Sequence, residues 1–348
     1  MNVETSAKSA SAGAGTDPVL HTRKRGTVYA EAALWRRTLA CRPILLLLLI
    51  ALLSGTMSIV YPDNFPTSFN ISAVLLNAAQ QGILVVGMML MMIAGKFDLS
   101  IGSTLALSGV VSGLGATLWG LSPISAAAAG IGTGVLCGGL NGLIVTRMHI
   151  NALIATLATM SIFRGMTQLV SGTGVSPISA DFARLGQATI LGIETPFWWM
   201  VGVASVGGWA VAKTRFFRQY YFIGGNDRAA KLSGIRVERL NFFAFVMMGA
   251  IAGLAGVLAA ARLNAAVVSA GIGVELTVIT ATVLGGASLK GGEGSVLGGV
   301  LGVLFIALVQ NALIVNGIGV FWQSIIVGSV LLLAVSFDRF KHHGHRVR

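Results

Sequence analysis

The sequence predicts an all-α, polytopic membrane protein with about ten transmembrane helices and both termini in the cytoplasm. Three observations carry that expectation. Charged residues make up 10% of the chain against 55% hydrophobic ones, whereas soluble domains carry about 25% charge. The apolar residues gather into runs suited to crossing about 30 Å of hydrocarbon, which takes about 20 residues at 1.5 Å each. Finally, 21 of the 24 Lys and Arg fall on one predicted side, the bias of cytoplasmic connections.

In chain order, residues 1–42 form a Ser/Ala/Gly-rich tail, expected to be disordered, that turns basic towards Arg42. The run Ile44–Leu53 follows without a clearly placed small-x-small cleavage site, so it reads as a retained signal anchor opening the span 43–60. Further spans are expected at 71–94, 101–119, 123–145, 151–170, 196–213, 242–261, 274–286, 295–316 and 319–337, the eighth being short. An even number returns the basic tail 339–348 to the side of the N-terminus. The outer connections 61–70 and 171–195 hold only Arg184 between them. The net charge of +12 is therefore topological, which argues against nucleic acid as a partner and leaves the lipid bilayer. Cys41 and Cys137 lack metal-ligand spacing and read as packing residues. The 46 glycines recur inside the spans, where small residues let helices approach closely.

Two connections interrupt the apolar pattern in a similar way. Residues 95–103, GKFDLSIGS, and 285–295, GGASLKGGEGS, each follow an apolar run with Gly, a few polar residues, and Gly-Ser. Paired interruptions in the two halves of a transporter point to the permeation path, but two tight helix–helix turns would use the same residues.

One stretch does not belong in lipid. Residues 213–241 carry seven Lys and Arg against Asp227 and Glu238. Its centre reads as a short, separately capped helix: Gly224-Gly225 breaks the preceding element and Asn226 or Asp227 caps the start. Ala229, Ala230, Lys231 and Leu232 are good helix formers, and Gly234 supplies a left-handed stop. So short a helix is not stable in water by itself, because isolated helices under about 12–15 residues are marginal. It needs a docking surface, on its own protein or on another.

Ionisable and amide groups in the spans are the candidates for a solute path. They are Asn77, Gln80, Asp98, Ser100, Arg164 and Glu275. Arg164 could equally hold backbone carbonyls, and Asn77, Gln80, Gln81, Gln310 and Asn311 could equally join neighbouring helices. The Met88, Met89, Met91, Met92 cluster could form a pliable solute path but reads better as packing or lipid contact, and Trp198-Trp199 reads as an interfacial belt. The sequence holds neither a phosphate-binding GxxxxGK[ST] loop nor HExxH or GxSxG. The energy for any work must come from an ion gradient or another polypeptide.

Taken together, FDLSIGSTLALSG at 97–109, INALIATLATMSIFRG at 150–165, GGNDRAAKLSGIRV at 224–237 and ELTVITATVLGGASLKGGEGSVLGG at 275–299 resemble one family. It is that of the permease subunits of bacterial ABC importers for monosaccharides, of the ribose, xylose and galactose type. The resemblance runs from about Ile44 to Phe337. It implies a transmembrane domain over 43–338, working as a homo- or heterodimer with a second permease in the inner membrane. It further implies two cytoplasmic ATPase subunits carrying ATP and Mg, a soluble sugar-binding protein outside, and no cofactor, metal or catalytic residue on this chain. By carry-over, 224–237 is the coupling helix resting on the ATPase, with Asn226, Asp227, Ala229, Ala230, Leu232 and Gly234 as coupling positions. Gly285, Gly286, Gly291 and Gly292 match the family's glycine-rich turn, and Asp98 and Ser100 its D-L-S segment. The competing expectations are an ion-gradient carrier using Asp98 or Glu275, and a membrane enzyme or scaffold without transport.

Overall fold

The computed structural model describes residues 42–343. The expected tail 1–41 with Cys41, and the chain end 344–348, lie outside the described residues.

Every expected span is a helix. They are α1 Arg42–Val60, α2 Ser68–Ile93, α3 Ile101–Thr117, α4 Pro123–Arg147, α5 Ala152–Ser171, α7 Thr195–Lys213, α10 Val237–Leu263, α11 Val274–Leu284, α12 Val296–Val315 and α13 Val320–His343. Three short helices join them: α6 Ala180–Gln187, α8 Arg215–Gly225 and α9 Asp227–Leu232. A two-stranded hairpin, Thr189–Ile190 with Ile193–Glu194, follows α6. Among the described residues six helices, α1, α2, α4, α5, α10 and α12, are long and apolar enough to cross a bilayer by themselves. The 11 residues of α11 rise only about 16 Å, roughly half the hydrocarbon thickness.

Helix α2 is the spine. Every residue from Gln81 to Ile93 is buried, so the Met88, Met89, Met91 and Met92 side chains are packing and not a solute path. Met is unbranched and fills irregular gaps where several helices converge. Helix α3 is enclosed on nearly all sides, which is why its apolar residues show no single face.

Helices α4 and α10 meet through glycines. A Cβ at Gly134 would strike the Gly249 carbonyl, and one at Gly138 the Phe245 carbonyl. Gly130, Gly134, Gly138 and Gly142 recur every fourth residue, forming a small-residue seam along one side of α4. Cys137 packs beside this seam against Leu107 and Phe163, as a buried free thiol.

At the opposite end from α8 and α9, Arg262 at the end of α10 pairs with Glu194 of the hairpin at 2.8 Å. Trp198 donates its indole N–H to the Ile190 carbonyl at 3.0 Å, so this ring is fixed by the hairpin.

Candidate functional site

The stretch 213–241 folds as two helices joined at one residue. Thr214 caps α8, accepting the Phe217 N–H at 3.4 Å. Helix α8 runs through Gly224 and Gly225 and stops at Asn226. The preceding helix therefore ends at the two glycines, where the sequence places the break. Asn226 then caps α9, its Oδ1 accepting the Ala229 N–H at 3.0 Å. At the far end Ile235 N–H bonds the Ala230 carbonyl at 3.1 Å and Gly234 N–H the Lys231 carbonyl at 3.0 Å. That is a Schellman stop, made possible by Gly234 at φ +82°.

Helix α9 has an inner and an outer face. Ala230 is only 3% exposed and packs into the main core, whereas Leu232 is 91% exposed. Asn226, Asp227, Ala229 and Gly234 are exposed as well. Ala230 thus anchors the helix to its own chain, which corrects the expectation that it faces a partner. Lys231 lies 3.5 Å from Glu238 and 4.0 Å from Asp227. These exposed pairs orient the helix and add little stability.

Helix α8 ties the pair to the bundle. Tyr220 is fully buried and donates to the Leu240 carbonyl at 2.8 Å, and Tyr221 to the Gly294 carbonyl at 2.8 Å. Burial pushes both phenols up, so they remain donors through the physiological range.

The two polar interruptions meet at this helix. Gly292 N–H bonds the Ile93 carbonyl at 2.9 Å. A Cβ on Gly224 would collide with that same carbonyl and with the Gly292 nitrogen, while one on Gly291 would reach Gly224 Cα at 2.8 Å and Gly95 nitrogen at 2.9 Å. Three backbones therefore touch without side chains between them: the end of α2, the end of α8 and the glycine-rich turn. The turn's other glycines divide the work. Gly285 lets the end of α11 lie on the Gly298 backbone, and Gly286 takes φ +106°. Sequence reading noticed all of these glycines but not their junction, since nothing local pairs residue 95 with 224 and 291.

The remaining candidates separate. Asp98 and Ser100 do not line a path, because Asp98 is 2% exposed and Ser100 is fully buried. Asp98 Oδ1 accepts the Ser100 N–H at 2.8 Å and the Ser100 hydroxyl at 2.6 Å, and Asn141 Nδ2 donates to Ser100 Oγ at 2.8 Å. This closed cluster fixes the entry to α3 against α4; Asn141 had no signal in the sequence beyond an amide in a span. Arg164 donates to the Val268 and Ala270 carbonyls at 2.6 and 2.8 Å, the backbone role, yet it also lines a cavity of about 590 Å³ together with Glu275. The loop it holds returns into the bundle, where a Cβ on Gly102 would strike the Gly271 carbonyl. Asn77 donates to Gln310 at 3.0 Å. Asn77 lines a second cavity with Gln81, whereas Gln80 does not. No cluster of metal-ligating side chains occurs among the described residues.

Comparison with known proteins places the chain in a family. The family model described as branched-chain amino acid transport system / permease component matches residues 70–335. The chain is 39% identical over 292 residues to the L-arabinose transport system permease protein AraH of Escherichia coli strain K12, covering 82% of this chain and 88% of that one. It is 37% identical over 306 residues to the L-arabinose ABC transporter permease protein AraH of Azospirillum brasilense, covering 86% and 88%. It is 37% identical over 308 residues to the ribose import permease protein RbsC of Escherichia coli strain K12, covering 86% and 92%. No solved structure matches the chain. With its apolar helices and its match over most of its length, the chain belongs to the family of membrane permease components of the branched-chain amino acid transport system type.

Proposed function

We propose that the chain is the permease subunit of an ABC importer that carries a monosaccharide or similar small polyhydroxylated solute across a bacterial inner membrane. One observation carries the mechanical part of this reading. A capped helix presents Leu232 outward while its other face and its neighbour α8 are bonded to the bundle. An exposed apolar side chain on a rigid, tethered helix is suited to a cleft on another polypeptide. The names of the relatives, arabinose and ribose permeases, support the solute class.

In this reading ten passages place both termini and α8–α9 in the cytoplasm. Two cytoplasmic ATPase subunits carry ATP and Mg, a soluble receptor delivers solute from outside, and a second permease, identical or paralogous, completes the path. ATP-driven closure of the ATPases pushes α9. The glycine junction passes that push to the inner ends of α2 and α12, and the bundle alternates between outward and inward access. The residues proposed for ATPase contact are Asn226, Asp227, Ala229, Leu232 and Gly234, with Ala230 as the anchor beneath them.

The test is reconstitution. Proteoliposomes containing the permease and its ATPase accumulate receptor-delivered solute only when ATP is supplied. Leu232→Asp abolishes co-purification of the ATPase while the permease inserts and elutes as the parent does. Accumulation driven by an ion gradient without any ATPase would replace this reading with a secondary carrier. Unchanged ATPase association in Leu232→Asp would remove the docking role.

A further inference from the structure

A cavity of about 530 Å³ lies between α2, α11, α12 and α13, within the about 300–1,000 Å³ typical of small-molecule sites. Its polar wall is made by Asn77 and Gln81 of α2, Thr277 and Thr280 of α11, Gln310 and Asn311 of α12, and Gln323 and Ser324 of α13. Among the described residues no Lys, Arg, Asp, Glu or His lines it. Gln81 stands midway along α2, so the cavity opens at mid-depth of the bundle.

Most of these groups already have protein partners. Asn77 donates to Gln310, and Asn311 and Asn70 exchange bonds at 2.7 and 3.1 Å. The Thr277 and Thr280 hydroxyls donate to the Gly273 and Leu276 carbonyls at 3.2 and 2.7 Å, so towards anything else they can only accept. Gln81 differs. It is 9% exposed; its Oε1 is shut off from the cavity and from any described donor, and its Nε2, bonded to no described residue, is the part of the amide left to meet the cavity. The wall therefore offers both donors and acceptors, among them the Gln81 Nε2 and the Thr277 hydroxyl, and no charge.

A molecule complementary to that wall is neutral and brings several hydroxyl groups, each able to donate and to accept. A zwitterionic amino acid would bring an ammonium and a carboxylate into a lining with no counter-charge, an unfavourable exchange for their hydration. We infer that this cavity is a solute-binding site within the permease chain itself, taking a neutral polyhydroxylated molecule of about sugar size, with the Gln81 amide in its wall. The inference rests on the transport reading above and adds that the chain is more than a passive channel. It also separates this protein from the amino-acid carriers after which its family is described.

The test uses purified full-length permease in lipid nanodiscs, without receptor or ATPase. Saturation-transfer NMR is recorded with D-ribose, L-arabinose, D-galactose, erythritol and L-leucine as probes. At least one polyol receives saturation and leucine receives none. Gln81→Met, close in size but without the amide, weakens that polyol about five- to ten-fold, the loss of one hydrogen bond. Thr277→Val, an equally small change in shape, weakens it about three-fold. Leucine saturation matching the polyols would overturn the inference. So would unaltered affinity in both variants, or no polyol saturation from a permease that still supports ATP-driven uptake. That last outcome defeats the site alone, whereas uptake without an ATPase defeats the permease reading itself.

Discussion

The backbone N–H of Gly292 donates to the carbonyl of Ile93 at 2.9 Å, and this bond joins the glycine-rich turn to the C-terminal end of α2. Gly224 of α8 sits against both groups, close enough that a Cβ would not fit. Packed backbones are stiff, because there is no side chain to change rotamer between them. In the proposed mechanism this contact carries a displacement of α8–α9 to α2 and to the start of α12.

The two adjacent glycines at the end of α8 give a paired test of this junction. Gly224→Ala forces its methyl group against Ile93 and Gly292, while Gly225→Ala meets nothing within 4 Å. We expect Gly224→Ala to lower stability by about 1–3 kcal/mol and to uncouple ATP hydrolysis from uptake. Gly225→Ala should match the parent in thermal melting and in vesicle uptake. Equal behaviour of the two variants would show that the junction transmits nothing.

Ala230 and Leu232 are two residues apart on α9 but face opposite ways. Ala230→Glu buries a carboxylate in the main core, so expression and melting temperature should fall together with ATPase binding. Leu232→Asp should leave melting unchanged and lose only ATPase binding. Parallel melting curves and co-purification distinguish the two.

The Asp98 cluster yields a prediction opposite to that of an ion-coupled carrier. Asp98→Asn keeps an oxygen for the Ser100 N–H and hydroxyl, so uptake should persist. Asp98→Leu leaves the Ser100 N–H and hydroxyl buried without their acceptor and should cost about 2–4 kcal/mol, read as loss of folded protein in detergent. Loss of uptake in a well-folded Asp98→Asn variant would point to proton or cation coupling instead.

Arg164 holds two carbonyls of the loop that returns into the bundle. Arg164→Met removes both bonds, each worth about 1.5–3 kcal/mol when the donor is charged. The expected readout is faster amide exchange across 267–271, with α9 and its ATPase contact unaffected.

Helix α4 and α10 depend on their shared seam. Gly138→Val drives a branched side chain into the Phe245 carbonyl and should abolish stable expression, whereas Gly139→Val, which meets nothing within 4 Å, should be tolerated.

Much of this molecule is dictated by chain chemistry close at hand. Apolar runs fix where helices form, because a backbone in lipid must satisfy its own hydrogen bonds. Asn226 and Gly234 fix the ends of α9 through contacts within a few residues. Those features were legible in the sequence, as was the backbone-holding alternative for Arg164. What the sequence left open is decided over long separations. That Gln81 and not Gln80 enters the cavity, that Ala230 turns inward, and that Asp98 closes on Asn141 all depend on which helix packs on which face. The meeting of Gly95, Gly224 and Gly291 depends on it most, since a glycine's value there is the side chain it lacks, and only the arrival of a second backbone reveals what that space is for.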